Sequence, residues 1–372
     1  MDKSKFISLL KNNDKENLIK FINEESAFSN FREEMIRFGD LISKVDIPLL
    51  AEWFLNRSRN ISPENVLSEL EEFLVSENIP GRYIVTLKGI NLKNSLNINK
   101  SIRLVPITEL KSLYRNTISE YNKIFESLTQ AIVNINKKVL EETAALECFG
   151  ISSPCFTGRH NINKEFHLPY NNLHSLCSMF ALIGPCAPSV ISWWWEPNEN
   201  IPYSGYSISR AETNPDIINS TNYDLTTDDE NELVELAELF LKFNSKNELH
   251  IPLNRLNRSL VRIEPIDQLI ELAIAMESLF LKSDNTGELG FRLRTTIAKY
   301  MEEDIGKRQK LAEIIKKFYS YRSKAVHKGK VEDKDWEKVN SSIDATQDIL
   351  INALKKIIKE GDVPDWDKII LK

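Results

Sequence analysis

Cysteine, glycine, histidine and long apolar runs are all scarce in this sequence. Four cysteines (Cys148, Cys155, Cys177 and Cys186) in 372 residues are too few to staple a chain of this length, so no disulfide framework is expected and a reducing compartment fits. The 12 glycines build no phosphate-cradling loop and no Gly-x-Ser-x-Gly elbow, and no His-Glu-x-x-His occurs, which removes support from most familiar enzyme classes. No apolar run approaches the roughly 20 residues of a membrane helix, and Met1-Asp2-Lys3-Ser4-Lys5 leads only into the short patch Phe6 to Leu10. A cytoplasmic protein without a membrane partner is expected. There is no excess of positive charge either: 48 Lys+Arg against 54 Asp+Glu give a net charge of -6, which excludes a uniformly basic nucleic-acid coat. With 42% hydrophobic and 27% charged residues the chain is globular, not disordered, and long enough for two or three compact units.

Residues 1 to about 78 read as short helices, the clearest start being Ser62-Pro63-Glu64-Asn65, with a cap hydroxyl, Pro at the first helical position and an acidic first turn. After Pro80-Gly81 the β-branched and aromatic run Tyr83 to Leu87, with a second run Ile102 to Ile107 beyond an Asn-rich turn, predicts a small sheet. Helical spacing returns from Thr108 to about Glu147, with Ala131 to Ile135 open to either reading. A helix is expected at Asn171 to Ile183 and a strand at Val190 to Trp195. The polar run Thr221 to Asp229 is the best boundary, dividing the chain into 1–227 and 228–372. Beyond it amphipathic helices follow one another: one after Pro265, one from about Glu288 with Leu289, Leu293, Ile297 and Tyr300 on one stripe, one from about Lys307, and one from Asp335 to Lys359. The fold class is therefore α+β, with N-terminal helices and a small β-sheet followed by a C-terminal helical bundle.

Between Ile305 and Lys330 stand nine Lys or Arg against one acid, Glu313, a local charge of +8. An anionic partner is the simplest reading of that density. Within it lies Arg322-Ser323-Lys324-Ala325-Val326-His327. An imidazole titrating near neutrality can take the proton of a ribose 2′-hydroxyl, and a guanidinium can stabilise charge developing on the adjacent phosphate, with no metal or cofactor required. The plainer account is that Arg and His favour the negative end of a helix. Geometry adds an objection, because five residues along a continuous helix separate two positions by about 140°. Either His327 leaves the helix, which Gly329 permits, or two protomers bring their motifs to one groove.

From about Arg258 to Lys330 the chain resembles the HEPN superfamily, in particular its Apea-like branch. The resemblance rests on Arg258, Arg262, Asp267, the run Ile274-Ala275-Met276-Glu277-Ser278-Leu279-Phe280, then Glu288-Leu289-Gly290-Phe291-Arg292-Leu293, Arg308, and Tyr319-Ser320-Tyr321-Arg322-Ser323-Lys324-Ala325-Val326-His327. It implies a helical, dimeric, metal-independent endoribonuclease of the kind found in bacterial anti-phage or toxin systems, with an RNA substrate and a partner protein or phage-derived trigger. Carried over, Arg322 contacts the scissile phosphate, His327 is the acid/base, and Glu277 orients Arg322, with a buried structural salt bridge as the plainer account of Glu277. Ser323 follows the Arg where many active members carry Asn, Asp or His. That departure keeps a second reading open, a non-catalytic module that dimerises and binds RNA, a nucleotide or a protein. Tyr319, Lys324 and Lys328 are candidate RNA contacts, with a packed Tyr and a solvated basic turn as the blander account.

One other cluster collects every cysteine and three histidines (His160, His167 and His174) between Cys148 and Cys186. No pair has Cys-x2–4-Cys or His-x3–5-His spacing, so buried thiols and loop histidines are expected in place of a metal site. The run Trp193-Trp194-Trp195 alternates faces if it is a strand, which predicts at least one exposed ring.

Overall fold

The computed structural model describes residues 1–38, 41–76, 79–112, 141–152, 155–156, 170–198, 208–210, 222–281, 288–328 and 336–371. The N-terminal helices start where the sequence places caps. Asp2, Asp14, Asp46 and Ser62 each accept the backbone N–H three residues ahead, at 2.9–3.2 Å, and so fix the starts of α1 (Lys3–Lys11), α2 (Lys15–Glu24), α4 (Ile47–Ser58) and α5 (Pro63–Val75). Between them runs the short α3 (Ser29–Glu33). Their apolar faces meet in an aromatic core in which Phe6 stands edge-on to Phe54 at 5.1 Å, with Phe21 and Phe28 around it.

This region is not wholly helical. Strands β1 (Met35–Phe38) and β2 (Leu41–Lys44) form an antiparallel pair. Four residues are too few for a period-2 pattern to speak, and the third strand of this small sheet, β8 (Cys155–Phe156), comes from far along the chain.

The main sheet is antiparallel throughout. It contains β3 (Ile79–Lys88), β5 (Leu96–Asn97), β6 (Ile102–Pro106), β7 (Ala144–Ser152), β9 (Ser189–Pro197) and β10 (Ile208–Arg210), in the order β10-β9-β3-β7-β6-β5. The helical spacing expected up to Glu147 therefore ends earlier, because Ala144 to Glu147 belong to a central strand. Ala-Ala-Leu favours a helix locally, but pairing with β3 on one side and β6 on the other, where Cys148 faces both Tyr83 and Ile102, overrides that preference. Gly81 is required at its position because a Cβ there would overlap the ring of Trp195. The tryptophan strand forms as expected, yet no ring of the three is exposed: Trp194 and Trp195 are buried and Trp193 is half-buried. Both faces of this sheet are covered, so alternation along β9 moves the rings between two interiors.

One face of the sheet is charged. Arg82 lies between two buried carboxylates, Glu147 and Glu196, donating from Nε to Glu196 at 3.0 Å and from its terminal nitrogens to both. Arg103 completes the pairing of Glu147, while Ser112 (2.6 Å) and the indole of Trp194 (3.2 Å) complete that of Glu196. Every carboxylate oxygen in this network has a partner, which is the condition for burying such charges.

A short parallel pair leads into the helical half: β11 (Tyr223–Asp224) lies beside β4 (Ile90–Asn91). Thr226 then caps α7 (Thr227–Lys242) through a capping box with Asp229, whose carboxylate also receives the Tyr223 hydroxyl at 2.9 Å. Next come α8 (Lys246–Val261), α9 (Pro265–Phe280), α10 (Leu289–Met301), α11 (Ile305–Lys328), α12 (Trp336–Glu360) and α13 (Trp366–Leu371). Helix α9 packs against α8, α10, α11 and α12, and Glu271 on it receives Arg255 and Arg262 from the preceding helix and turn. Helix α6 (Tyr170–Met179) touches α7, α8 and β9, so the buried apolar side chains of the sheet and the helices belong to one continuous core. Among the described residues no helix is long and apolar enough to cross a membrane.

Candidate functional site

The basic segment identified in the sequence is α11. Ile315, Phe318 and Ala325 form its buried face, and Arg322 lies on the same face, one turn beyond Phe318. The guanidinium is half-buried, and its Nε is fully enclosed without a hydrogen-bond partner among the described residues. A buried donor left without a partner is costly, and an anion is the natural group to supply one.

Beside it, across the contact with α9, the hydroxyl of Tyr319 donates to Oε1 of Glu277 at 2.7 Å. Burial, then the hydrogen bond and charge of Glu277, push the Tyr319 phenol well above its ordinary range, and the nearby charge of Arg322 pulls the other way. Glu277, Tyr319 and Arg322 are thus brought together. The carboxylate, however, accepts from the tyrosine, and no ion pair joins it to Arg322 among the described residues. The hydroxyl of Tyr319 is committed to this internal bond.

The remaining candidates lie apart from this trio. Ser323 and Lys324 are exposed, and the ammonium of Lys324 sits 5.8 Å from the centroid of the Tyr321 ring. The side chains of His327 and Lys328 lie outside the described residues, but their backbone is helical and α11 runs unbroken through Lys328. Positions 322 and 327 are therefore about 140° apart around one axis. The helix does not break before His327, which removes the first of the two ways of uniting the motif within one protomer.

Sequence reasoning overlooked the neighbouring end of α10. Its first turn lies beside Tyr319 of α11, since a Cβ on Gly290 would stand 3.9 Å from that ring. Phe291 there is 53% exposed, with the guanidinium of Arg294 5.1 Å from its ring centroid. The signal was present: Phe291 falls off the stripe formed by Leu293, Ile297 and Tyr300, so a bulky aromatic had to face outward.

In the Cys/His cluster, Cys148, Cys177 and Cys186 are buried free thiols. Burial pushes Cys148 and Cys186 up to about 12 and raises Cys177 as well. His174 meets Trp193 edge-on at 4.9 Å, while His160 and His167 lie outside the described residues. Among the described residues no group of three or more His, Cys, Asp or Glu side chains is arranged to hold a metal ion. The chain matches no family model, and neither a curated protein nor a solved structure shows significant similarity to it.

Proposed function

We propose that the protein is a HEPN-like endoribonuclease whose Arg322-x4-His327 motif cleaves RNA by acid/base chemistry without a metal. The observation that carries this reading is the enclosed Nε of Arg322, without a partner among the described residues, beside the Glu277–Tyr319 pair, on a helix whose segment carries a local charge of +8. That arrangement supports capture of a phosphodiester. An imidazole accepts the 2′-hydroxyl proton as the 2′ oxygen bonds to phosphorus; the bond to the 5′ oxygen breaks and that oxygen leaves with a proton. The products are a cyclic phosphate and a 5′-hydroxyl. Because α11 is continuous across the motif, Arg322 and His327 of different protomers serve one cleft, which requires a homodimer. The N-terminal region, residues 1–227, senses a trigger or restrains the nuclease in an anti-phage or toxin-like setting. Incubating total RNA with the wild type, Arg322→Ala and His327→Ala tests the proposal: cleavage by the wild type alone supports it, and equal cleavage by all three rejects it.

A second reading, a non-catalytic binding module built on the same bundle, is favoured by Ser323, which is exposed next to Arg322 where many active members of the resembled family carry a different polar residue. A wild type that binds RNA but never cleaves it under any condition supports that reading.

A further inference from the structure

Glu277 sits in the last turn of α9, where the N–H of Leu281 closes on its carbonyl at 3.1 Å and the helix ends at Phe280. The final carbonyls of a helix have no partner within it, and a buried one must find a partner elsewhere. That of Leu279, two residues beyond Glu277, finds one: the indole N–H of Trp366 on α13 donates to it at 2.8 Å, and both residues are buried. The ring of Trp366 packs on Phe280 at the end of α9, with 4.9 Å between centroids, and edge-on against Tyr300 near the end of α10 at 5.3 Å.

Helix α13 has six residues, too few to hold a helix by themselves. Its place depends on those contacts and on two clips from α10: Lys299 donates to the carbonyl of Ile370, and Arg292 pairs with Asp367 at 3.4 Å. The two helices held in this way both reach Tyr319. Helix α9 presents Glu277 to its hydroxyl at 2.7 Å, and α10 meets its ring at Gly290. We propose that Trp366 is a positioning residue for the Arg322 site: its indole N–H secures the turn that carries Glu277, and α13 is the clasp that keeps this carboxylate on Tyr319. The proposal rests on the nuclease reading above for what the site does, and adds to it the element that holds the site in register. Because Trp366 touches α9 and not the site itself, its effect must pass through Glu277.

Two measurements on the full chain test this. Trp366→Phe keeps a ring against Phe280 and Tyr300 and removes the N–H. Hydrogen exchange followed by mass analysis reads the clasp without RNA: the last turn of α9 should exchange about tenfold faster in the variant, with α8 and α12 unchanged. Fluorescence anisotropy with a short 2′-O-methyl RNA, which a 2′-hydroxyl mechanism cannot cut, reads the site. Affinity should fall about threefold in Trp366→Phe and not at all when the same change is made in Glu277→Gln. Unchanged exchange in that turn overturns the clasp, whatever RNA does. Faster exchange with the same loss of affinity in both backgrounds makes Trp366 a packing residue and overturns its positioning role. A wild type that binds no RNA rejects the nuclease reading and the positioning role with it, while the exchange result for the clasp stands by itself. Should Trp366→Phe loosen every helix of the bundle, Lys299→Met, which unclips α13 at Ile370 and leaves the core in place, decides: faster exchange at the end of α9 supports the clasp, and unchanged exchange there overturns it.

Discussion

Tyr319 holds Glu277. The phenol of α11 donates to the carboxylate of α9 at 2.7 Å, three residues before Arg322. A carboxylate in that position would otherwise pair with the arginine and neutralise it. One of its oxygens takes the tyrosine, and among the described residues no ion pair joins it to Arg322, whose Nε has no hydrogen-bond partner there. Tyr319→Phe should keep the ring and release Glu277 toward Arg322. The expected outcome is a loss of RNA affinity of about tenfold and of about 1.5–3 kcal/mol of stability, read by anisotropy and urea unfolding. Adding Glu277→Gln should restore the affinity but not the stability, a split that a purely structural tyrosine would not give.

Arg82 is the counter-ion of two buried carboxylates. Glu147 and Glu196 are 0% and 1% exposed, and Arg82→Met would leave Glu196 without a cation and Glu147 with Arg103 alone. A destabilisation of about 3–5 kcal/mol is expected from an uncompensated buried charge, measured by urea unfolding. A cost below about 1 kcal/mol would mean that water already reaches this face.

Acid should unfold the protein partly through His174. Burial, with a smaller contribution from the charge of His250, lowers its pKa to about 4, below the ordinary imidazole value near 6.5. The unfolded chain therefore binds a proton that the folded chain refuses between those two values. Stability is complete above about pH 6.5 and falls, by at most about 3 kcal/mol, as the pH drops toward 4. His174→Phe should flatten that part of the stability profile.

Cys148, Cys177 and Cys186 should resist thiol reagents in the folded state. A thiol held near 12 or above contains almost no thiolate at pH 8. Alkylation followed by mass analysis should leave all three unmodified in native protein and label them in urea.

The C-terminal helices were legible because their signals are local: Pro265 at a first turn, and the stripe through Leu293, Ile297 and Tyr300. The same holds for the Ser62 cap and for Tyr83 to Leu87 within β3, although that strand starts four residues earlier, at Ile79. What escaped depends on partners distant in sequence. The β1–β2 pair completes its sheet with β8, and Ala144 to Glu147 become a strand through neighbours on both sides. Two-sided burial of Trp193 to Trp195 follows from what covers the sheet, which alternation along one strand cannot reveal. At the site, Glu277 was expected to orient Arg322, and its observed partner is the Tyr319 hydroxyl. That Glu277 is held by Tyr319, with Nε of Arg322 lacking a partner among the described residues, needed the packing of α9 on α11 to be seen.

The chemistry of the RNA ends tests the central claim most directly. In excess EDTA, wild-type protein acts on a single-stranded RNA and on the same strand carrying one 2′-deoxy nucleotide at the cut position, and the product ends are analysed. The account predicts a 2′,3′-cyclic phosphate and a 5′-hydroxyl from the first strand, no cut at that position in the second, and no products from Arg322→Ala or His327→Ala. Products bearing a 5′-phosphate, cleavage that the deoxy substitution does not block, or cleavage that persists in either variant would contradict it.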